Sequence, residues 1–280
     1  MGETPKNPAQ LMAWIKNESN KTDVEANSLL QFFMMERFLE RISLSKYREN
    51  VILKGGFLIA AMIGIDMRTT MNIDTTIKGI PVNQEGIQRM VMEMSEISVD
   101  DNVVFEFLSI KPIRHIGGYE DFRVGIVAKF FTMTVPLKLD ITTGDTIIPR
   151  EIAFPYKLMF ERRDIMIMAY NLNTVLAEKI ESILARNVAN TRARDYYDVY
   201  ILIKTKIDEV DMAEVRAAIR EKAIERGTEI YFDEYEKYLV DIEESLDLRE
   251  VWNTYAKKYY YASEITFDEV VTVLKSVLTY

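Results

Sequence analysis

The 280-residue sequence contains no cysteine and only one histidine, His115. The absence of cysteine excludes disulfides and thiolate metal sites, and a single histidine excludes any multi-histidine metal centre. No segment approaches the roughly 20 consecutive apolar residues that span a bilayer, and the N-terminal residues lack the apolar core of a signal peptide. We therefore expect a cytoplasmic protein with no membrane partner.

Basic residues are fewer than acidic ones, 35 against 44, and the formal net charge is −9. Over a whole chain, such a balance argues against a nucleic-acid partner. The acidic excess is confined to residues 207–280, which hold 18 acidic and 9 basic side chains, whereas residues 1–206 are neutral overall. Because phosphate contacts need only a local patch of lysine and arginine, the net charge does not exclude RNA.

Two adjacent glycines, Gly55 and Gly56, precede a short apolar segment that predicts a helix. Glycine permits backbone conformations and close approaches that a β-carbon would prevent. A helix that begins at such a turn offers unpaired N–H groups and the positive end of its dipole to an anion. The segment predicts a phosphate-binding turn, and the alternative is a loop that binds nothing.

The segment from Thr70 to Lys78 predicts a strand with Asn72 and Asp74 on the same face, because strand side chains alternate between faces. Two oxygen ligands placed in this way can hold a hard cation such as Mg²⁺, which also takes phosphate oxygens and water. The alternative is an ordinary edge strand whose aspartate is only solvated.

Residues 135–142 alternate strictly and predict a strand with Asp140 on its polar face and leucine or isoleucine on the other. In two-metal phosphoryl-transfer sites, a third carboxylate on a neighbouring strand shares a cation with the first pair and lowers the pKa of the attacking hydroxyl. Asp140 is the candidate for that position. A half-exposed strand with a charged face is the alternative.

Apolar residues recur at helical spacing through residues 173–186, and Lys179 borders that stripe. A lysine placed there could present a point charge to a triphosphate. The next predicted helix begins near Arg194 and Asp195. The spacing of Arg194 and Asp198 also suits a local i, i+4 ion pair, which is the structural alternative.

Together these segments resemble the motifs of the AbiEii/AbiGii family of nucleotidyltransferase-like toxins from abortive-infection and type IV toxin–antitoxin systems. The resemblance runs from a helix near Met35 to a helix ending near Leu202, more than half of the chain. In chain order, the matching segments are Leu53-Lys54-Gly55-Gly56, Arg68-x-Thr70-x-Asn72-Ile73-Asp74, Lys138-Leu139-Asp140 with Gly144-Asp145, Leu176-Ala177-Glu178-Lys179 and Arg192-Ala193-Arg194-Asp195-x-x-Asp198.

The resemblance implies a DNA-polymerase-β-like nucleotidyltransferase core, and periodicity gives its extent. Strand patterns near 51–54, 71–78, 103–111, 122–132 and 134–142, with helices near 56–64 and 84–97, predict a mixed or antiparallel sheet backed by helices. From about residue 173 the pattern is wholly helical. We therefore expect an α+β protein with a core domain at 1–170 and a C-terminal helical domain at 171–280.

The resemblance also implies a role for individual residues. The metal ligands would be Asn72, Asp74 and Asp140. The NTP-binding residues would be Lys54, Gly55, Gly56, Thr69, Lys179 and Arg194. The catalytic residues would be Asp74, Asp140, Lys179 and Asp195.

The implied cofactor is Mg²⁺ or Mn²⁺, and the implied substrate is an NTP, either GTP or CTP. The acceptor would be RNA, with the 3′ end of tRNA expected, and the cognate antitoxin would be a separately encoded repressor that need not contact the toxin.

Asn72 departs from the family pattern, which has aspartate at this position. An amide oxygen can ligate Mg²⁺, but it cannot neutralise the charge of the ion. Asn72 therefore favours one alternative, a catalytically impaired nucleotide-binding relative. A second alternative, independent of Asn72, is an enzyme of the same fold that transfers the NMP to a hydroxyl side chain of a protein.

Overall fold

A computed structural model describes residues 4–81, 83–116 and 119–279. Over these residues the chain forms one seven-stranded sheet and a set of α-helices. The chain divides into two compact units: unit 1 comprises Met1–Asp145 and Glu151–Ala169, and unit 2 comprises Thr146–Arg150 and Tyr170–Tyr280. The sheet lies in unit 1, and the predicted α+β class is confirmed. We propose that these units correspond to the domains expected at 1–170 and 171–280.

Unit 1 contains the sheet and four helices in the described part of the chain. The helices are α1 (Pro8–Thr22), α2 (Ala26–Leu44), α3 (Gly55–Ile63) and α4 (Gln84–Ser95). The strands are β1 (Val51–Lys54), β2 (Ile73–Ile77), β3 (Val103–Ile116), β4 (Tyr119–Phe130), β5 (Met133–Thr143), β6 (Ile152–Lys157) and β7 (Asp164–Ala169).

The strand order is β3-β4-β5-β2-β1-β7-β6. The pairs β2–β5 and β1–β7 are parallel and the other pairs are antiparallel, so the sheet is mixed. Strand β2 therefore lies between β1 and β5, which brings three segments from distant parts of the sequence side by side.

Strands β6 and β7 were absent from the strands expected from the sequence. Pro155 falls inside β6, and a proline normally argues against a strand because it cannot donate to the ladder. Since β6 is the outer strand of this sheet, that missing donor is tolerated. In β7 the buried residues Ile165, Ile167 and Ala169 alternate with more exposed ones, but the intervening Met166 and Met168 are also apolar, so the sequence shows no alternation of apolar and polar residues.

The first two helices meet at a turn that the sequence did not predict. Residues 22–25 have the spacing of a capping box, but α1 ends at Thr22 and Asp23 adopts a left-handed conformation with φ 55°. Glu25 precedes α2 without any side-chain cap. The sequence Thr22-Asp23-Val24-Glu25 predicts a capping box at the start of α2, and this prediction is wrong. Asn7, in contrast, caps α1 as its position before Pro8 indicates, by accepting from the Gln10 amide.

Helix α2 buries charged side chains in the core of unit 1. Glu36 accepts hydrogen bonds from the Tyr156 hydroxyl at 3.0 Å and from the Met159 amide at 3.1 Å. Next to it, Arg37 pairs with Glu161 at 2.6 Å. Burial raises the pKa of Glu36 to about 7, although Arg37 and the two hydrogen bonds act in the opposite direction.

Unit 1 is expected to lose stability as pH rises. Because the pKa of Glu36 is about 7 in the fold against 4.5 ordinarily, the folded state binds more protons between these values. The contribution of Glu36 to stability is then full below pH 4.5 and falls by up to about 3 kcal/mol as the pH rises through 7. Glu36→Gln keeps an acceptor oxygen and should flatten this slope in urea unfolding at pH 5 to 8. Glu49→Gln, at an exposed position, is the control; an unchanged slope in Glu36→Gln would contradict the assignment.

Unit 2 is helical throughout its larger segment in the described residues. Its helices are α5 (Leu172–Arg186), α6 (Ala193–Lys206), α7 (Met212–Arg226), α8 (Glu229–Asp233), α9 (Tyr235–Glu244), α10 (Leu246–Lys258) and α11 (Phe267–Leu278). The sequence pattern predicts a single helix near residues 232–244, where the structure has two, α8 and α9. Across residues 4–81, 83–116 and 119–279, every helix is too short or too polar to cross a bilayer.

Tyrosines are frequent in unit 2, and the sequence alone leaves open whether they stack on RNA bases or pack within the fold. The rings of Tyr259 and Tyr261 stack with centroids 5.4 Å apart, and Tyr255 lies at a tilt against Tyr259 with centroids 4.7 Å apart. Tyr197 on α6 joins them at 4.9 Å from Tyr261. These four rings therefore contribute to helix packing.

Candidate active site

Strand β1 runs directly into α3 at Gly55. Gly55 has φ 68°, and a β-carbon at this position would lie 2.4 Å from Oδ2 of Asp74. The position needs glycine for its left-handed backbone and for this close approach. The Asp74 carboxylate consequently packs against the first residue of α3, where the helix dipole is positive.

Gly56 is also constrained by its neighbours. A β-carbon there would lie 2.8 Å from Nη2 of Arg68 and 3.1 Å from Oγ1 of Thr70. Arg68 is buried and donates a hydrogen bond to the carbonyl of Thr69. The predicted NTP-binding residue Thr69 is partly exposed, and its backbone is held beside the glycine turn.

Asp74 and Asp140 are direct register partners on the parallel strands β2 and β5. Register partners share a face of the sheet, and neighbouring strands lie about 4.8 Å apart. Lys54 is the register partner of Asp74 on β1, and Arg123 is the register partner of Asp140 on β4. We call the four residues Arg123, Asp140, Asp74 and Lys54 the central row.

Each end of the central row carries a cation in an ion pair. The Arg123 guanidinium binds both oxygens of Asp140, with Nε–Oδ1 and Nη2–Oδ2 distances of 2.7 Å. The pKa of Arg123 is raised by this pair and, more weakly, by the charge of Asp74. Lys54 reaches Asp145 at 2.6 Å, and Asp145 also accepts from the Thr142 hydroxyl.

Sequence reasoning assigned no role to Arg123 or to Asp145. Asp145 stands in one of the matching motifs but was given no function, and Arg123 lies in a strand with no motif of its own. Its place beside Asp140 depends on the β4–β5 register, which alternation alone does not fix.

Asn72 lies one residue before β2, because the strand ladder begins at Ile73 and not at Thr70 as expected. Asn72 is partly buried. The predicted sharing of one strand face by Asn72 and Asp74 therefore does not follow from strand geometry.

In unit 2, Lys179 on α5 lies between two carboxylates of α6. Its Nζ is 2.8 Å from Oδ1 of Asp195 and 2.9 Å from Oδ2 of Asp198. Both aspartates are buried. Arg194 instead donates to the Tyr259 hydroxyl at 3.0 Å and lies over that ring, so the alternative of a local Arg194–Asp198 pair is wrong.

The fit of a divalent cation can be judged from the oxygen donors. In the part of the chain that the structure describes, no group of three His, Cys, Asp or Glu side chains could hold a metal ion. The central row instead supplies two neighbouring carboxylates. Such a set suits Mg²⁺ or Mn²⁺ that takes its remaining ligands from phosphate oxygens and water, as Mg²⁺ does in phosphoryl-transfer sites.

Residues 37–273 match the family model described as nucleotidyl transferase AbiEii toxin, type IV toxin–antitoxin system. The chain belongs to this family. The match covers most of the sequence, and the predicted membership and the predicted enzyme class, nucleotidyltransferase, are confirmed. A comparison with curated protein sequences finds no match.

Two of the solved structures compared with this AbiEii-family chain share its fold at a TM-score above 0.5. The nucleotidyltransferase toxin MenT4 from Mycobacterium tuberculosis H37Rv is 12% identical, with 96% of this chain and 98% of that chain covered at a TM-score of 0.59. A candidate nucleotidyltransferase from H. pylori is 12% identical, with 91% and 96% covered at a TM-score of 0.52. JHP933 from Helicobacter pylori is 14% identical, with 91% and 94% covered at a TM-score of 0.49.

Proposed function

We propose that this AbiEii-family toxin transfers an NMP from GTP or CTP to RNA, with the 3′ end of tRNA as the expected acceptor. The acceptor hydroxyl loses its proton, its oxygen bonds to the α-phosphorus, and the bond to the β-phosphate breaks to release pyrophosphate. The register pairing of Asp74 with Asp140 beside a glycine-started helix is the observation that supports this most directly.

Asp74 and Asp140 would hold Mg²⁺ or Mn²⁺, with the amide of Asn72 as a weaker ligand. When bound, the cation would neutralise phosphate charge and lower the pKa of the attacking hydroxyl. The backbone amides of Gly55 and Gly56 at the start of α3 would bind phosphate oxygens, as helix N-termini do. Lys54 would add a positive charge to the same end of the helix.

Lys179 would stabilise charge on the leaving pyrophosphate. The two buried carboxylates, Asp195 and Asp198, hold its ammonium group in place. Asp195 thus acts in this proposal by orienting Lys179. Arg194, anchored on Tyr259, would present its remaining donors to the nucleotide. The toxin would act in the cytoplasm, with a separately encoded antitoxin that need not contact it.

Incubation with each α-³²P-labelled NTP, total RNA and total protein tests the function and the acceptor together. We expect label from GTP or CTP in the RNA fraction, at the 3′ end of tRNA. Label only in the protein fraction would replace RNA by a protein acceptor. No label in either fraction, with Mg²⁺ or Mn²⁺ present, would contradict the proposal.

Restoring a carboxylate with Asn72→Asp is expected to increase transfer about tenfold at limiting Mg²⁺, equivalent to about 1.4 kcal/mol. The reason is that a third carboxylate, two residues before Asp74, would add negative charge to the proposed cation site. The measurement is the Mg²⁺ dependence of the initial rate in both proteins. Activity that appears only in the variant would identify the present chain as an impaired relative, and an unchanged Mg²⁺ dependence would remove Asn72 from the metal site.

A further inference from the structure

The two ends of the central row differ in how firmly their cations are held. At one end, the Lys54–Asp145 pair is buried, with side chains 7% and 8% exposed. At the other end, Arg123 is 47% exposed and Asp140 is 17% exposed. The Lys54–Asp145 pair is therefore held within the core, whereas the Arg123 side chain can move into solvent without disturbing buried residues.

Arg123 binds both carboxylate oxygens of Asp140. Its side-on fork uses Nε and Nη2 on the two carboxylate oxygens, both at 2.7 Å. A divalent cation on Asp140 would need at least one of these oxygens, and it would bring two positive charges close to a guanidinium. Because like charges repel strongly at such distances, Arg123 and a cation compete for the same carboxylate.

Once the Arg123 guanidinium leaves Asp140, the bound nucleotide would offer it a new partner. The planar fork that fits a carboxylate also fits two phosphate oxygens. Arg123 lies on the strand next to Asp140 and in register with it, so a triphosphate bound to a cation on Asp140 would come within reach of the arginine.

We propose that Arg123 is a nucleotide-binding residue that exchanges partners: it pairs with Asp140 in the free protein and with the triphosphate once the cation takes Asp140. This inference rests on the proposed function, since it needs Asp140 to be a metal ligand. The central row then has two states. In one, Arg123 is paired with Asp140, and in the other, Asp140 binds the cation while Arg123 binds the triphosphate.

The exchange predicts effects of opposite sign in one variant. Arg123→Ala should bind Mn²⁺ alone about tenfold more tightly than the unaltered protein, because the competing cation is gone. The same variant should bind an α,β-methylene GTP or CTP analogue with Mg²⁺ about tenfold more weakly, because the phosphate contact is gone. Electron paramagnetic resonance of free Mn²⁺ and calorimetry of the analogue measure these two affinities.

Lys129→Ala is the matched control, since Lys129 also lies on β4 and pairs with an acidic partner, Glu106 at 2.5 Å, on the neighbouring strand β3. It should leave both affinities unchanged. Arg123→Lys keeps the charge but loses the fork, and it should fall between the unaltered protein and Arg123→Ala in both assays. Circular dichroism of each variant shows whether the fold is retained. If Arg123→Ala does not fold, the two affinities of Arg123→Lys test the partner exchange instead.

Asp140→Asn separates the failure of this inference from that of the proposed function. If Asp140→Asn loses Mn²⁺ binding while Arg123→Ala does not gain it, the partner exchange is wrong and the metal site stands. If Asp140→Asn binds Mn²⁺ as well as the unaltered protein, the metal role of Asp140 fails and the exchange fails with it. Tighter Mn²⁺ binding together with weaker analogue binding in Arg123→Ala supports the exchange.

Discussion

Asp74→Ala is expected to abolish nucleotide transfer, with kcat/KM reduced at least about 10³-fold, or about 4 kcal/mol of transition-state stabilisation. The substitution removes one of two adjacent carboxylates and leaves Asp140 as the only acidic residue of the central row. A lone carboxylate paired with Arg123 would hold a divalent cation poorly. Initial rates with labelled NTP and tRNA measure the loss.

The Asp74→Ala result needs an acidic control in the same unit. Asp164 is exposed at the start of β7, and Asp164→Ala should retain full activity. Both variants should unfold within about 1 kcal/mol of the unaltered protein, since neither removes a fully buried side chain. Residual transfer above one-tenth of normal in Asp74→Ala, with added Mg²⁺, would remove Asp74 from the catalytic assignment.

Gly55→Ala is expected to lower transfer at least about 100-fold and also to destabilise the protein. A β-carbon at this position would lie 2.4 Å from Oδ2 and 2.8 Å from Cβ of Asp74, so the carboxylate must move. A shift of about 1 Å in a catalytic group can cost about 10²-fold in rate. The left-handed backbone adds a cost of about 1 to 2 kcal/mol to the folded state.

Gly227→Ala isolates the backbone part of that effect. Gly227 has φ 66°, almost the same as Gly55, and an added β-carbon there would meet nothing within 4 Å. It should lose about 1 kcal/mol of stability and keep its activity. If Gly55→Ala matches Gly227→Ala in both stability and activity, the close approach of Asp74 to the glycine turn has no catalytic importance.

The strands of the central row were largely predictable because each is either a short, mostly apolar run, as in β1, or an alternating segment, as in β5. In β5, Leu137, Leu139 and Ile141 are buried and Asp140 lies on the opposite face, as the sequence indicates. What alternation cannot provide is register. The pairing of Arg123 with Asp140 links residues 17 positions apart through a hairpin, and a shift of one residue would have placed a different side chain there.

Besides strand register, the burial of charged residues could not be predicted from sequence patterns. Helix α2 reads as an amphipathic helix with a polar face, yet Arg41 is buried and binds Asp101 at 2.7 and 2.9 Å. Glu40 is likewise buried and accepts from Arg163. These partners lie 60 and 123 residues away in the sequence. The local sequence of α2 therefore predicts that its charged residues are exposed to solvent.

A crystal of the protein soaked with a non-hydrolysable NTP analogue and Mn²⁺ tests the central claim most directly. We expect an anomalous peak within about 2.2 Å of carboxylate oxygens from both Asp74 and Asp140, with the triphosphate against the amides of Gly55 and Gly56. An anomalous peak that contacts neither aspartate, or a triphosphate bound away from the glycine turn, would contradict the account.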